Sequence, residues 1–371
     1  MTENNNGRFV QIHALVSYPP SNLNRDDMGR PKTAVMGGKQ RLRISSQSMK
    51  RAWRESEFFS DALSGHVGFR TKRLGDKVYS ALVKGSSLSS VFAESPVQVN
   101  PVMDEKSAEE WTKLVVQVFA KLDTKTKFRA EQLVHVSHDE ISQMDAFLSM
   151  VAREGRKPKD AEDLNSLMLK PVTDVDIALF GRMIAASPKD GVDAAAQVAH
   201  PITIHPVVVE DDYFTAVDDL NSHEEDAGAA HLGVNEYGAG VFYTYVCVNR
   251  ELLIENLGGD VELANRAIGA LVECVAKIGP KGKQNSYASR AYASYLMVEQ
   301  GFQRPRSLAA AFLDPMSEGN YLLSGISRLE MECQALDAVY GPCADARCVL
   351  NVPKGEGTLQ DVLKFVSGKD A

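Results

Sequence analysis

Six basic side chains and no acidic one fall within residues 37–54, GGKQRLRISSQSMKRAWR. In the first part of this stretch, Lys39, Arg41 and Arg43 alternate with other residues at the period of a β-strand. The alternation predicts one cationic face and one mostly apolar face. Such a cationic face is suited to holding the phosphate groups of a polyanion.

The second part of the stretch has the pattern of a helix N-terminus. Ser45 or Ser46 is suited to the N-cap position, and Gln47 adds a polar group to the first turn. Lys50 and Arg54 follow at helical spacing. Unpaired backbone N–H groups and the positive end of the helix dipole would lie beside these cations, and that combination binds phosphate.

Positive charge is concentrated near the N-terminus of an acidic chain. Residues 1–80 contain 14 Lys and Arg against 7 Asp and Glu, whereas the remaining residues contain 27 against 42, and the net charge is −8. A basic site on an acidic protein favours nucleic-acid binding in a defined groove over loose binding along the whole surface. The alternative is a solvated basic face with scattered ion pairs.

A second and weaker basic stretch lies in the last third of the chain. KIGPKGKQNSYASR contains Lys281 and Lys283 and no acid, in a run rich in Gly. It is a candidate for contacts to backbone phosphates, and an ordinary exposed loop is an equal alternative.

The common catalytic motifs are absent from the sequence: there is no P-loop, no G-x-G-x-x-G after a strand, no G-x-S-x-G and no H-E-x-x-H. Asp26 and Asp27 form a carboxylate pair beside the basic stretch and could hold a divalent metal for hydrolysis. We favour the alternative that they cap a turn or pair with Arg25 and Arg30, because no further ligand cluster accompanies them. No cofactor is expected.

Neither the cysteines nor the histidines indicate a metal site. The five cysteines are an odd number spread over a long stretch without a C-x-x-C pair, so reduced thiols are expected. His135 and His138 have the spacing of two metal ligands on a helix, but no third candidate ligand lies at a spacing typical of a metal site.

The surrounding segments indicate three kinds of structure. FVQIHALV at 9–16 is typical of a first strand, and residues 60–168 contain amphipathic helical repeats such as WTKLVVQVFAKL. Two strand-like runs, ITIHPVVV and GAGVFYTYVCV, bracket residues 210–236, which contain nine Asp and Glu. This arrangement predicts a long hairpin or projecting arm, with Tyr213 and Phe214 near its start.

The overall composition is that of an ordinary soluble globular protein. No apolar run approaches the ~20 residues of a membrane span, and MTENNNGRF lacks the layout of a secretory signal. We therefore expect a cytoplasmic location and no membrane partner.

Six short motifs, taken in order, carry a family resemblance: LNRDDM, GGKQRLRISSQSMKRAWR, DIALFGRM, FTAVDDL, AHLG and GVFYTY. Together they closely resemble the CasC-type backbone subunit of the type I-E CRISPR Cascade complex. The resemblance implies an α+β fold with a modified RNA-recognition (ferredoxin-like) palm, an inserted helical fingers domain and a thumb β-hairpin. The implied boundaries are 1–59, 169–204 and 243–371 for the palm, 60–168 for the fingers, and 205–242 for the thumb.

The resemblance also implies which residues contact a guide RNA. Residues that match family positions on the guide backbone are Arg25, Lys32, Gln47 and Lys50. Neighbours that are candidates by our own interpretation are Lys39, Ser45, Ser46, Arg54, Lys281 and Lys283. Residues that match the family's base-displacing group are Met183, Tyr213, Phe214 and Thr215. An aromatic or thioether surface holds an unstacked base without reading its identity.

The implied function is that of a non-catalytic RNA-binding subunit that polymerises along a CRISPR RNA. The expected partners are CRISPR RNA, further copies of the chain, the target DNA strand paired to the guide, the large, small, guide-end-capping and guide-processing Cascade subunits, and a recruited helicase–nuclease. Two alternatives remain open. One is an RNA-cutting backbone of the type III kind that uses Asp26 or Asp27, and the other is a general single-strand RNA-binding protein without fixed partners.

Overall fold

A computed structural model describes residues 7–157, 164–184, 188–216 and 231–368. These residues form two compact units. The sheet unit consists of the residues up to Ser60, Gln197–Asn249 and the residues from Ile268 onwards, and the helical unit consists of Asp61–Ala196 and Arg250–Ala267. Within the described ranges, no helix has the length and apolar character needed to cross a membrane.

The strands and helices follow one another in a mixed order. The strands are β1 (Phe9–Ser21), β2 (Thr33–Met36), β3 (Lys39–Leu42), β4 (Phe69–Thr71), β5 (Val134–Val136), β6 (Ala196–Val198), β7 (Ile202–Thr203), β8 (Glu210–Ala216), β9 (His231–Asn249), β10 (Ala293–Gly301) and β11 (Ala346–Asn351). The helices are α1 (Ser46–Arg54), α2 (Glu57–Ala62), α3 (Leu74–Lys84), α4 (Leu88–Phe92), α5 (Glu105–Phe119), α6 (His138–Glu154), α7 (Val175–Phe180), α8 (Arg250–Asn256), α9 (Val261–Lys277), α10 (Gln284–Tyr287), α11 (Tyr321–Tyr340) and α12 (Leu359–Ser367).

The sheet unit is built around an antiparallel sheet with β1 at its centre. β1 pairs antiparallel with β9 on one side and β10 on the other, and β11 pairs antiparallel with β10. β6 and β7 pair with β9. The chain passes from β9 through α9 to β10 with β1 between the two strands, which is the split βαβ connection of a ferredoxin-like fold. The α+β class and the ferredoxin-like palm expected from the sequence are confirmed.

Strand β1 is buried on both of its faces. Val10, Ile12 and Ala14 point to one face and His13 and Leu15 to the other, and all five are fully buried. The Leu15 face belongs to an apolar core that includes Tyr243, Tyr295, Ile326 and Leu329, the last two from α11. The first strand predicted at 9–16 is therefore present, and it continues to Ser21.

A buried carboxylate, Glu299 on β10, organises polar groups inside this sheet. His13 contacts Glu299 through Nε2 at 3.2 Å and Tyr243 Oη through Nδ1 at 2.8 Å. Arg306 and Arg347 also pair with the Glu299 carboxylate. Burial alone would raise the pKa of Glu299, but the hydrogen bonds from His13 and the arginines hold that pKa well below its usual range.

The helical unit has an apolar core of its own. Trp111 and Val115 of α5 pack in one cluster with Ile141, Met144 and Leu148 of α6. The amphipathic repeats predicted within 60–168 form this core, because their apolar residues fall on one face of each helix.

The two histidines considered as metal ligands have other partners in the helical unit. His135 Nε2 lies 2.8 Å from Asp176 Oδ2, and His138 Nδ1 lies 3.1 Å from Asp174 Oδ1. Across the described residues, no group of three or more His, Cys, Asp or Glu is arranged to hold a metal ion.

A two-stranded hairpin extends from the sheet unit. β8 pairs antiparallel with the first part of β9, from Glu210 opposite Tyr237 to Ala216 opposite His231. β9 is 19 residues long and continues from this hairpin into the centre of the sheet, where it pairs with β1. The remainder of the predicted acidic arm, residues 217–230, lies outside the described residues.

Candidate nucleic-acid interface

The N-terminus of α1 is capped by Ser45, the first of the two serines considered for this role. Ser45 has extended backbone angles (φ −73°, ψ 142°), and its Oγ accepts the Ser48 backbone N–H at 3.4 Å. Ser46 and Gln47 open the first turn, where helix geometry offers their N–H groups no intrahelical partner. The first turn contains no acidic residue, so its positive dipole end is not neutralised locally.

The loop of residues 22–32 is joined to this helix start by hydrogen bonds. Asn24 Oδ1 accepts the backbone N–H of Ser45 at 2.8 Å. The Lys32 N–H donates to the Asn24 carbonyl, and the Arg43 N–H donates to the Lys32 carbonyl, both at 2.8 Å. These bonds hold Arg25 and Lys32 in the same local structure as the cap of α1.

Helix α1 presents cations from a well-anchored scaffold. Met49, Ala52 and Trp53 are buried, and Trp53 Nε1 donates to the Ile278 carbonyl at 3.2 Å. Lys50 and Arg54 are half-buried on the same helix. Burial lowers the pKa of the Lys50 ammonium, and a phosphate placed beside it would favour the charged form.

The expected alternation of a cationic and an apolar face on β3 is wrong at Arg41. Arg41 is fully buried, and its guanidinium donates to the carbonyls of Thr203 at 2.8 Å and Phe312 at 3.0 Å. β3 lies against other strands of the sheet unit, and its Leu42 N–H donates to Thr203 Oγ1. Arg41 is therefore structural, and Lys39 is the cation that β3 leaves exposed.

Two further cations of the basic stretch have local partners. Arg43 Nη1 lies 2.7 Å from His200 Nδ1. Arg51 pairs with Glu55 at 2.8 Å, one helical turn away and just beyond the acid-free stretch. Both pairs are exposed and contribute little to stability, so a phosphate could compete with them.

The second basic stretch lies against the first. Lys281 Nζ donates to the Glu55 carbonyl at 3.3 Å, and Lys283 Nζ donates to Asn235 Oδ1 at the base of the hairpin. Any side chain at position 282 would collide with the Leu23 carbonyl, which explains the glycine there. The two stretches separated by more than 200 residues in sequence thus meet at one surface of the sheet unit.

Tyr213 and Phe214, which are neighbours on the hairpin, differ in their exposure and in their cross-strand contacts. Tyr213 lies opposite Val234, and these two side chains are 62% and 61% exposed. Phe214 lies opposite Gly233, where a Cβ would collide with the Phe214 ring, so this ring covers the glycine backbone. Tyr213 and Val234 therefore form an exposed apolar pair, while the Phe214 ring, 39% exposed, lies over Gly233 of the neighbouring strand.

Of the other two residues assigned to base displacement, Thr215 lies on the hairpin and Met183 lies in the helical unit. Thr215 is exposed on β8, one residue beyond Phe214. Met183 belongs to the helical unit, is 85% exposed, and lines a cleft of about 210 Å³ together with Leu133 and Arg182.

Two clefts adjoin the 22–32 loop. The loop–helix cleft, about 500 Å³, lies between this loop and α1. It is lined by the cations Arg25, Arg51 and Lys281, by the carboxylates Asp26, Asp27 and Glu55, and by Asn24 and Ser48, among others. The hairpin-base cleft, about 480 Å³, is lined by Arg25, Met28, Gly29, Arg30, Asp211, Val234, Asn235, Glu236 and Lys283. Arg25 lines both clefts. Sequence reasoning missed Asn24, Met28 and Val234, since their roles arise from loop geometry and strand register.

Asp26 holds the turn at the tip of this loop. Its Oδ1 accepts the backbone N–H groups of Met28 and Arg30, each at 2.9 Å. The turn-capping interpretation of Asp26 is therefore confirmed by its hydrogen bonds. Arg30 pairs instead with Glu236 on β9 at 3.1 Å.

Comparisons with known proteins agree with this architecture. A chain described as "CRISPR RNA-guided surveillance complex, pre-nicking" is 28% identical, with a TM-score of 0.79, and the match covers 97% of this chain and 99% of that one. A second, described as "CRISPR RNA-guided surveillance complex", is 25% identical with a TM-score of 0.59 and covers 98% and 100%. A search of curated protein sequences finds no match. The model of the CT1975-like protein family matches residues 10–364, and the chain belongs to that family.

Proposed function

We propose that this protein is a non-catalytic backbone subunit that binds CRISPR RNA in a DNA-targeting Cascade complex of type I-E. Copies of the chain assemble along the guide and hold its phosphate backbone. The hairpin of β8 and β9 acts as a thumb that displaces one base at a regular interval, so that the other bases pair with target DNA. The partners are those of such a complex, in the cytoplasm.

One observation carries this proposal. Chains from two RNA-guided surveillance complexes match this chain over nearly its whole length and nearly the whole of theirs. A match of this extent includes both compact units and the hairpin, so it reaches beyond the ferredoxin-like core that many unrelated proteins share.

The chemistry of the sheet unit supports recognition of an RNA backbone. Arg25, Lys50 and Lys281 belong to elements that meet around the 22–32 loop and the start of α1. Cations and helix N–H groups of this kind bind phosphate oxygens and carry no sequence information. A subunit that binds many different guide sequences needs contacts that do not depend on base identity, because base pairing by the guide supplies the specificity.

The exposed pair Tyr213 and Val234 supports the thumb role. Each of these two side chains exposes about three-fifths of its surface, and the two lie opposite each other, so together they offer an apolar contact surface to a ligand. An unstacked base is a suitable partner, because stacking on an aromatic ring stabilises a base by ~1–3 kcal/mol regardless of its identity.

An RNA-cutting backbone that uses Asp26 or Asp27 is less well supported. Asp26 Oδ1 already accepts two backbone N–H groups in its turn. Asp26 Oδ2 and the Asp27 carboxylate would have to hold the metal, but no group of three or more His, Cys, Asp or Glu among the described residues is arranged to do so.

Nuclease footprinting of a guide-length RNA mixed with the purified protein, with the particle sized in parallel, tests the proposal. Protection that grows in equal nucleotide steps, in a particle several copies long, is the expected result. Protection without steps would indicate a general RNA-binding protein. Cleavage that depends on added Mg²⁺ and disappears in Asp26→Ala or Asp27→Ala would indicate the RNA-cutting alternative.

A further inference from the structure

Two cysteine thiols lie beside the buried carboxylate of Glu299. Cys333, on α11, is buried, and its Sγ lies 3.3 Å from Arg306 Nη2 and 3.8 Å from Glu299 Oε1. Cys343 follows the end of α11 and is half-buried, and its thiol donates to the Arg304 carbonyl at 3.4 Å. Both thiols therefore contact the segment that follows β10.

Asp337 holds the main chain of Cys343 close to Cys333. Asp337 is four residues after Cys333 on α11, and side chains at this spacing have Cβ atoms about 5–6 Å apart. Asp337 Oδ1 accepts the Cys343 backbone N–H at 3.1 Å and lies 3.6 Å from Arg306 Nη2. One helical turn and one hydrogen bond thus separate the two cysteines, and a rearrangement of the short loop after α11 is enough to join their sulfurs.

The register of the sheet also places the two thiols next to each other. Gln11 on β1 lies directly opposite Glu299 on β10, so these two side chains are neighbours on one face of the sheet. Burial raises the pKa of the Cys343 thiol, and a hydrogen bond from Gln11 opposes that rise. Cys343 therefore contacts Gln11, while Cys333 contacts the adjacent Glu299.

Two further cysteines belong to the same sheet. Cys348 on β11 follows Arg347, whose guanidinium pairs with Glu299. Because successive side chains of a strand alternate between faces, Cys348 points to the opposite face of the sheet. Cys247 on β9 is buried and lies opposite Gln11, on the face that Cys343 covers, so it is the competing partner that a test must detect.

We propose that Cys333 and Cys343 are a peroxide-sensitive pair that closes to a reversible disulfide. The less buried Cys343 reacts first: its sulfur takes one oxygen of hydrogen peroxide, the O–O bond breaks, and the other oxygen leaves as water. The Cys333 sulfur then displaces the sulfenic oxygen as a second water and forms the S–S bond. Two thiols are oxidised, one peroxide is reduced, and the two thiol protons end in the two waters.

The surroundings of the pair set the speed of this reaction. Burial raises the pKa of both thiols, and the nearby arginines oppose that rise. The thiolate is the reactive form, so the rate should be low at pH 7 and rise about ten-fold per pH unit above it. The charged and titratable groups that face the pair are His13, Glu299, Arg306, Asp337 and Arg347.

Counting alkylated thiols tests the pair. The full-length protein is treated with hydrogen peroxide, quenched with catalase, unfolded, alkylated with N-ethylmaleimide and digested with trypsin. Cleavage after Arg328 and Arg347 releases one peptide that contains both Cys333 and Cys343. We expect two maleimide groups on this peptide before treatment, none after it, and two again when dithiothreitol precedes alkylation. Met331, exposed in the same peptide, reports by its own oxidation that peroxide has acted.

Two variants sharpen the test. Cys343→Ser should leave Cys333 with its maleimide group after peroxide. The matched control is Cys348→Ser, which removes a half-buried cysteine from the opposite face and should not change the loss of both groups.

Three results, each visible in the wild type, would overturn the inference. The first is two maleimide groups retained although Met331 is fully oxidised. The second is a loss that dithiothreitol does not reverse, which would show oxidation beyond the disulfide. The third is a disulfide from Cys343 to Cys247 or Cys348. Each of these results would leave the proposed RNA-binding function standing, because that function does not use the pair.

Discussion

Asn24 accepts the backbone N–H of Ser45 through its side-chain oxygen, at 2.8 Å. This single bond joins the loop that carries Arg25 to the N-cap of the helix that carries Lys50. Two elements expected to hold neighbouring phosphates are therefore fixed relative to each other by a residue that itself contacts neither phosphate.

Asn24→Ala should weaken RNA binding more than its effect on stability explains. Removal of one hydrogen bond lowers the free energy of unfolding by ~1 kcal/mol. It also removes the bond that reaches Ser45 itself, although the backbone bonds from Lys32 to Asn24 and from Arg43 to Lys32 remain. The matched control is Asn100→Ala, which removes a side-chain bond to Ser149 in the helical unit. Urea unfolding and filter binding of a guide-length RNA would compare the two. Equal RNA affinity in both variants would contradict the role of Asn24.

Lys50→Glu combined with Arg54→Glu should weaken binding to every guide sequence alike. These cations lie on α1 behind its N-terminus, where phosphate contacts carry no base information. The slope of log K against log salt should become shallower by roughly 0.7 for each phosphate of single-stranded RNA that the variant no longer neutralises. Lys354→Glu with Lys364→Glu makes the same change of charge elsewhere in the sheet unit. Weaker binding of only some guide sequences would argue against backbone recognition.

Tyr213→Ala and Phe214→Ala should have different effects. Tyr213 is exposed, so its removal should leave the hairpin intact but reduce the reactivity of the displaced guide bases to a single-strand chemical probe. Phe214 covers Gly233, so its removal should speed hydrogen exchange of the β8 and β9 amides. Identical exchange and probing patterns for the two variants would contradict this division.

Arg41→Ala should destabilise the fold, in contrast to the exposed Lys39→Ala. Arg41 is buried and donates to two carbonyls, so its removal leaves buried acceptors unpaired at a cost of roughly 3 kcal/mol. Lys39→Ala should change the free energy of unfolding by less than about 0.5 kcal/mol. Urea unfolding of both variants measures the difference, and equal midpoints would show that Arg41 is not structural.

Stability should fall as the pH drops below neutrality, in part through His205. Its Nδ1 contacts the Pro206 carbonyl, its Nε2 accepts the Val241 N–H, and its ring stacks on Tyr321 at 4.3 Å. Burial lowers the pKa of His205 in the folded protein. The folded state therefore favours neutral His205, so this contribution is complete above the unfolded pKa of about 6.5 and is lost as the pH falls below that value.

His205→Gln should reduce the drop in melting temperature between about pH 7.5 and pH 5.5, because the titrating group is gone. Burial also lowers the pKa of His13, which adds to the wild-type trend in the same direction and remains in the variant. An unchanged drop in the variant would exclude His205 as a contributor.

Local sequence patterns predicted the parts of the site that depend on neighbouring residues. The cap at Ser45 follows from a serine before a polar first turn. The hairpin is present, but its first strand, Glu210–Ala216, lies inside the acidic segment, and only Ile202 and Thr203 of the run ITIHPVVV form a strand. Strand periodicity failed at Arg41, because alternation shows that a side chain lies on a face but not whether another strand covers that face.

The rest of the site depends on contacts between distant parts of the chain. Lys283 and Asn235 are 48 positions apart, and Asn22 and Glu236 are 214 positions apart. No local sequence pattern distinguishes Met28 or Val234 from its neighbours. Their exposure around one cleft arises only when the 22–32 loop and the hairpin are brought together, and no short-range pattern encodes that.

β9 is one continuous strand that joins the hairpin to the centre of the sheet, so a tilt of the strand in the sheet also moves the hairpin. Its 19 residues span ~60 Å at about 3.3 Å per residue, with one end beside Tyr213 and the other held between β1 and its neighbours. A tilt of about 5° at Phe242 would move Val234 by roughly 2 Å, from the strand rise alone. Under the proposed function, any force that a bound nucleotide exerts on the hairpin would reach the middle of the palm sheet through β9, beside β1, the strand that leads into the 22–32 loop.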